Sequence, residues 1–506
     1  MCGIAFVRGA AGGEVIVGEM LDRLAHRGPD GEGRRPDRAG GVLGHKRLAI
    51  IDPQGGAQPL ATVDGAAALI ANGMIYNDAD LRADLAAGTP APTFRTGSDS
   101  EPILHGCRAH GPDFVRRLDG MFAFVMSDGG RVLAARDPIG IKPLYIGRRD
   151  DALYLASEIK ALTGRVDTLS EFPPGHVFDD RIGNGVGDDD DEDDLGAGLT
   201  PYYAVPAPTA ALADPAAAAT HLRETLERAV VKRLRSDVPL GAFLSGGLDS
   251  SIIAALAKRH LDRLHTFAVG LEGSDDLAAA RHVARHIGAT HHEYVIPADE
   301  LLRALPQILY HLESFDADLV RSAAPTWFVA REAAQRVKVV VTGEGADELF
   351  AGYAYHKDYA DGARLGRELR RSITAMHNIN LQRVDRMTMA HGLEARVPYL
   401  DLEMIDLAMR IDPALKLRAT ADGGIEKWIL RRAFADLLPD DIVWRRKAQF
   451  DQGSGTDRLL AAAAPARPAA AVAAAETAWY RDMFMDVFPE AAQALPLVAR
   501  WASKRV

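Results

Sequence analysis

Cys2 is the first residue whose position suggests chemistry. Removal of Met1 leaves a thiol and a free α-amine on one residue. An unperturbed α-amine titrates at about 7.7–8.0, so near neutrality it can take the proton of its own side chain, as an N-terminal amine does for a Thr nucleophile. Asn72 beside Gly73 offers an amide NH2 and a backbone N–H. Those are the two kinds of donor that an oxyanion hole uses. Arg47 closes an apolar run and suits a carboxylate, while Asp99 in Thr-Gly-Ser-Asp-Ser-Glu can receive an ammonium group. Together these parts suit amide hydrolysis of an amino acid.

A second constellation is Ser245-Gly246-Gly247-Leu248-Asp249-Ser250-Ser251, between a predicted buried strand and a predicted helix. Small residues let the backbone approach phosphates, and the helix N-terminus adds aligned N–H donors. No Gly-Lys-Ser/Thr closes the loop, so it is not the phosphate loop of kinases and GTPases. Asp249 and Asp347 supply two carboxylates. Mg2+ accepts that number, completing its shell with phosphate oxygens and water.

These residues need a scaffold that holds them. Short apolar runs at 41–44, 68–71 and 121–126, broken by Gly, Asp and Pro, predict a β-rich first part of about 180 residues. A run of seven acids from Asp188 to Asp194 follows, and reads as a solvated linker because like charges repel. Beyond about residue 215 the pattern changes. Helical periodicity at 221–230 and 250–257 alternates with strands at 240–244, 266–269 and 337–341. Such alternation implies a parallel sheet covered on both faces. The Ala-rich stretch 460–475 contains Pro465 and Pro468, which predict a broken helix or loop.

Composition narrows the classes. With 47% hydrophobic and 25% charged residues the chain can bury a large core, which excludes a disordered protein or a fibre. The net charge of −11 argues against a broad basic face, so no nucleic-acid partner is expected. No stretch approaches the ~20 apolar residues that span a bilayer, and the N-terminus lacks the order of a signal peptide. A cytoplasmic location without membrane contact is therefore expected. Two cysteines, Cys2 and Cys107, support neither a disulfide framework nor a structural zinc site.

Residues 2–160 resemble the glutaminase half of class II glutamine amidotransferases, specifically that of glutamine-dependent asparagine synthetases. The resemblance runs in order through MCGIAF, HRGPDG, LGHKRLAIID, NGMIYN, TGSDSE, GMFAF, ARDPIGIKPLY and ASEIKAL. It implies an α/β multi-domain protein, with an Ntn-type αββα sandwich over 1–180, an acidic linker over 181–214 and an α/β PP-loop synthetase domain over 215–506. By that match Cys2 is the nucleophile, and Asn72 with Gly73 forms the oxyanion hole. Arg47, Leu48, Ile50, Met74 and Asp99 surround glutamine, Arg47 gripping its α-carboxylate and Asp99 its α-ammonium group.

The second constellation resembles the PP-loop of enzymes that cleave ATP to AMP and pyrophosphate. The family's SGEGSDE is similar to residues 342–348 here, and its WRxKxQFxxG to residues 444–453. The implied ATP site comprises Leu244, Ser245, Gly246, Gly247, Asp249, Ser250, Val269, Thr342 and Gly343. Asp249 and Asp347 hold Mg2+, Glu344 acts near an acyl-adenylate, and Lys447 stabilises charge that develops on phosphate. ATP and Mg2+ are the implied cofactors, with no prosthetic group. A homodimer is an expectation by analogy alone.

The implied reaction is glutamine-dependent, ATP-driven amidation of a small carboxylic acid, with asparagine from aspartate as the default. Ammonia must arrive neutral to attack, so an apolar passage from the glutaminase is part of that expectation. Two departures from the family keep an alternative open. Its acceptor loop, ETYDxTTxRAS, keeps Arg321 here but carries Asp318 and Leu319 at the two Thr positions. An added carboxylate repels a dianionic acid, which favours a different acceptor from a specialised pathway. In NGMIYN, Met74 replaces a Glu that helps hold the glutamine ammonium group, which favours weakened glutamine binding or a modified nitrogen donor. β-Lactam synthetase-like ring closure is a third reading, against which Cys2 counts. A regulatory pseudoenzyme is a fourth, against which the loop and Lys447 count.

A hydrogen bond to a charged group contributes about 1.5–3 kcal/mol, or roughly one to two powers of ten in affinity. Met74→Glu is therefore expected to lower the KM for glutamine by about tenfold or more. An unchanged KM contradicts this reading of position 74.

Overall fold

The computed structural model describes residues 1–182, 198–359, 361–420, 424–447, 449–465 and 472–498. The acidic run and Pro468 lie outside the described residues. Two compact units emerge, the first comprising Met1–Ala204 with Met389–Gly392 and Met485–Val498.

Period-two burial builds the first unit. One antiparallel sheet runs in the order Thr168–Glu171, Tyr145–Arg149, Ala152–Ala156, Gly3–Arg8, Gly41–Arg47, Gly31–Pro36. The other runs Leu199–Pro201, His176–Asp179, Arg131–Arg136, Gly120–Asp128, Ala67–Ile75, Leu60–Ala61. Ile4 and Phe6 of the first sheet pack with Ile70 and Val125 of the second in one buried layer. The alternate residues Leu69, Ala71, Phe122 and Phe124 pack instead with Leu81, Ile103, Leu104 and Cys107. Those partners lie on helices Asp78–Ala86 and Glu101–His110. On the far side, helix Gly13–Arg23 lies against Gly3–Arg8 and Gly41–Arg47. The layering is helix, sheet, sheet, helix, as expected.

The borders of this unit differ from the expectation. Leu199–Pro201 is an edge strand beside His176–Asp179, not linker. Just after it, the Tyr202 hydroxyl donates to Arg136 O at 2.7 Å. Gln493 Oε1 accepts the Gly164 N–H at 2.7 Å, and its amide donates to Val166 O. That bonding places Met485–Val498 with the first unit, although the sequence reading put it with the second.

The second unit contains an all-parallel five-stranded sheet, in the order Thr290–Val295, His265–Gly270, Leu240–Phe243, Val339–Val341, Glu394–Arg396. Leu240–Phe243 turns through residues 244–247 into helix Leu248–Arg259. Its neighbour Val339–Val341 turns through residues 342–345 into helix Ala346–Phe350. Both turns sit at the carboxyl ends of adjacent parallel strands, the usual place for ligands in such sheets. That topology brings Asp249 and Asp347 together. Helix Thr456–Ala463 stops before Pro465, and the next described helix is Val472–Val487. No helix among the described residues is long and apolar enough to cross a membrane.

Gly44 is where the first helix meets its sheet. A Cβ there would come within 2.3 Å of Val17 Cγ1 and 3.0 Å of Leu21 Cδ1. Gly44→Ala is expected to destabilise the protein by about 1–3 kcal/mol, the cost of overpacking a core contact. Thermal or denaturant unfolding checks this, and an unchanged midpoint contradicts the packing.

Candidate active sites

Cys2 immediately precedes strand Gly3–Arg8 and is buried. Its backbone N–H donates to Asn72 Oδ1 at 2.9 Å. Asn72 is buried in Ala67–Ile75 of the other sheet, and its Nδ2 has no hydrogen-bond partner among the described residues. A buried amide donor without an acceptor is rare and costly. Here it is a spare donor on the residue that holds Cys2. A side chain at Gly73 would meet Met121 O at 2.1 Å, so only glycine fits. Met74 is 1% exposed and faces Met121 across the strand pair. A thioether therefore fills the position at which the resemblance expects a carboxylate.

The other expected glutamine contacts lie on nearby loops and strands. Asp99 Oδ2 accepts the Ile75 N–H at 2.7 Å, one residue past Met74. Arg47 donates to Asp52 O at 2.6 Å and Pro53 O at 2.9 Å, folding the chain after its strand, and Leu48 and Ile50 are buried. Sequence reasoning missed what anchors Cys2. Arg27 Nε donates to Cys2 O at 2.9 Å and its guanidinium pairs with Glu158 at 2.6 Å. Lys160 reaches the same carboxylate at 2.5 Å and His26 at 3.0 Å. Burial lowers the His26 pKa while Glu158 opposes that shift, so Arg27 and Lys160 are the cations that match Glu158. The only signal was that HRGPDG and ASEIKAL both belong to the motifs that carry the resemblance.

In the second unit a cavity of about 280 Å3 opens over the two strand-end turns. Ser245, Gly247, Asp249 and Ser250 line it from one turn, and Thr342, Gly343, Glu344 and Asp347 from the other. Gly246 has φ +71, and a Cβ there would lie 2.5 Å from Ala279, so the turn needs glycine. Ser250 Oγ accepts the Ser245 N–H at 3.2 Å, which closes the loop on itself. Gly247 caps helix Leu248–Arg259 without a side-chain bond to the first turn. Its N-terminal N–H groups thus suit an anion. Leu244, Phe267 and Ala268 supply apolar wall, while Val269, expected there, lies one residue further along its strand and is buried.

Four charges meet in the cavity. Lys427 Nζ lies 2.5 Å from both Asp249 Oδ2 and Asp347 Oδ1. Lys447 Nζ lies 2.8 Å from Asp347 Oδ2 and 3.7 Å from Asp249 Oδ2. Burial alone would raise the Asp347 pKa, but Lys427 and Lys447 hold it well below the usual carboxylate range. Burial would likewise neutralise Lys447, and the two aspartates push its pKa up instead. Next to them, burial and the Asp347 charge raise the Glu348 pKa, and Asn380 Nδ2 donates to that carboxyl at 2.6 Å. Glu344 pairs with Arg383. Lys427 and Arg383 were not singled out from sequence, because neither lies in a loop with recognisable spacing.

The expected acceptor residues pair on one helix, and only Asp318 of the two lines the cavity. Asp318 and Ser322 line the cavity from helix Ala317–Ala334. Arg321, on the same helix, pairs with the buried Glu476 of Val472–Val487 and stands 3.6 Å from Asp318.

Residues 1–174 match the glutamine amidotransferase domain family, and residues 221–364 and 357–504 match the asparagine synthase family. Among curated relatives, an asparagine synthetase [glutamine-hydrolyzing] of Asparagus officinalis is 40% identical, covering 97% of this chain and 86% of its own length. One of the same name from Sandersonia aurantiaca is 39% identical, covering 97% of each.

Asn72→Ala is expected to reduce kcat for glutamine hydrolysis by about 10²–10³, the size of one lost oxyanion donor, with little change in KM. A fall in KM alone, or no change, contradicts the assignment of its Nδ2.

Proposed function

The chain belongs to the asparagine synthase family, and on that premise we propose that it is a glutamine-hydrolysing ligase that makes asparagine from aspartate at the expense of ATP. The observation that carries this reading is the cavity in which a PP-loop, two strand-end aspartates and two lysines converge.

In the first unit the Cys2 thiolate attacks the γ-carboxamide of glutamine, its own α-amine taking the thiol proton once Met1 is gone. Asn72 Nδ2 and the Gly73 N–H stabilise the oxyanion, and Arg47 and Asp99 orient the amino acid. Ammonia leaves with the proton held by the α-amine, and water then hydrolyses the glutamyl thioester to release glutamate. Arg27, fixed by Glu158, holds the carbonyl of Cys2 and so fixes the nucleophile's backbone.

In the second unit the loop N–H groups of residues 245–250 cradle phosphate. The acceptor carboxylate attacks the α-phosphorus, pyrophosphate departs, and Lys447 faces the charge that develops there. Ammonia then displaces AMP from the acyl-adenylate. Glu344, which pairs with Arg383, accepts the proton that the attacking nitrogen loses. Asp249 and Asp347 fit Mg2+: both are hard oxygen donors from adjacent turns, and Asp249 Oδ1 is buried with no hydrogen-bond partner among the described residues. When bound, the metal neutralises phosphate charge as pyrophosphate leaves.

A second reading changes only the acid. Asp318 on the cavity wall and the pairing of Arg321 with Glu476 favour an acceptor with less negative charge than aspartate.

With ATP, glutamine and aspartate, the protein is expected to release pyrophosphate and AMP in step with asparagine. Cys2→Ala is expected to abolish the glutamine-dependent reaction and to spare the one driven by added ammonia. Formation of ADP contradicts the proposal, and pyrophosphate release with another acid but not aspartate favours the second reading.

A further inference from the structure

Lys427 is the residue of the nucleotide cavity that no motif announces. It is 1% exposed, and its ammonium group lies 2.5 Å from one oxygen of each strand-end aspartate. Its backbone is left-handed, with φ 55. A lysine in that conformation is strained and is kept only where its surroundings demand it. Its stem passes close to Gly352. A Cβ on Gly352 would lie 2.2 Å from Lys427 Cε and 1.9 Å from Asp347 Oδ1. Lys447 provides the second cation, so two carboxylates and two ammonium groups cancel within one cluster.

That balance has a consequence for the metal. A bare divalent cation would meet two carboxylates already matched by two ammonium groups, and would have to displace the one that lies against both of its ligands. A cation that arrives with polyphosphate meets different conditions. The phosphate oxygens give Lys427 and Lys447 new anionic partners, and the two carboxylates become available together. Asp249 Oδ1, buried and without a hydrogen-bond partner among the described residues, is open to a new ligand, and Asp347 Oδ1, held only by its ion pair with Lys427, likewise accepts no hydrogen bond there.

We infer that Lys427 is a positioning residue that occupies the bridging place between Asp249 and Asp347 until magnesium enters with ATP, so that metal binding at this site depends on nucleotide. The inference rests on the nucleotide and metal reading given above. It adds an order to it: the metal does not load the empty site.

The test uses Mn2+ alone, followed by its electron paramagnetic resonance signal, on the full chain without nucleotide. Lys427→Met is expected to bind one Mn2+ about tenfold or more tighter than the wild type, the scale on which one neighbouring charge shifts a binding equilibrium. Lys427→Arg, which keeps the charge, is expected to stay at the wild-type level. Adding Asp249→Asn to Lys427→Met is expected to remove the gain, which assigns the ion to this cavity. Equal or weaker Mn2+ binding by Lys427→Met overturns the inference. Should that variant not fold, as judged by circular dichroism, the wild type decides. Its Mn2+ midpoint is expected to fall when a non-hydrolysable ATP analogue is present, after correction for Mn2+ held by the analogue itself. An unchanged corrected midpoint overturns the inference. A failure of ATP cleavage would overturn the functional reading and leave the nucleotide-free comparison standing.

Discussion

Two carboxylates of like charge are forced together at the carboxyl ends of adjacent parallel strands, and the second unit is organised around making that tolerable. Asp249 and Asp347 cannot move apart, because each begins a helix whose preceding strand pairs with the other's. At close range in a partly dry cavity their repulsion would be worth several kcal/mol, about 4 kcal/mol for unit charges 4 Å apart at an effective dielectric of 20. Lys427 and Lys447 cancel it. In the proposed function the same groups meet a polyphosphate and its metal, so those that stabilise the empty cavity are also those that bind nucleotide. Stability and function therefore draw on one set of contacts. Single neutral replacements within the set leave a buried charge unmatched.

The thiol centre meets a similar constraint in a different way. Cys2 lies just ahead of strand Gly3–Arg8. It is held here by a hydrogen bond at each end of its backbone, from Cys2 N–H to Asn72 and from Arg27 to Cys2 O. Arg27 is in turn fixed by Glu158, a buried carboxylate that also engages Lys160 and His26. The residue proposed as nucleophile is thus anchored through a buried ion network. Met74 stands apart from this pattern: an apolar side chain buried where the resemblance calls for a charge, with Asp99 close by in the chain of contacts through Ile75.

Much of this was legible in the sequence because local rules and tertiary need coincide there. The Gly-rich turn before Asp249 reads as a phosphate loop since its small residues, strand before and helix after are contiguous, and the structure places them so. Short apolar runs such as residues 121–126 announce strands, and both faces of that strand are found packed. What stayed hidden depends on contacts between distant segments. Lys427 reaches Asp249 across 178 positions and Arg27 reaches Glu158 across 131, with no spacing to betray either. The strand Leu199–Pro201 carries too little apolar pattern to be read, and it exists because His176–Asp179 offers it an edge. Arg321 was legible as a cation and illegible as one already paired, since Glu476 lies 155 positions away.

The account stands on the carboxylate of the acceptor being joined to AMP before nitrogen reaches it. Aspartate labelled with 18O in its β-carboxylate, incubated with ATP and glutamine, tests this directly by mass spectrometry of the products. The account predicts one labelled oxygen in the phosphate of AMP and none in pyrophosphate. Label appearing in inorganic phosphate beside ADP, or AMP formed without label, would contradict it.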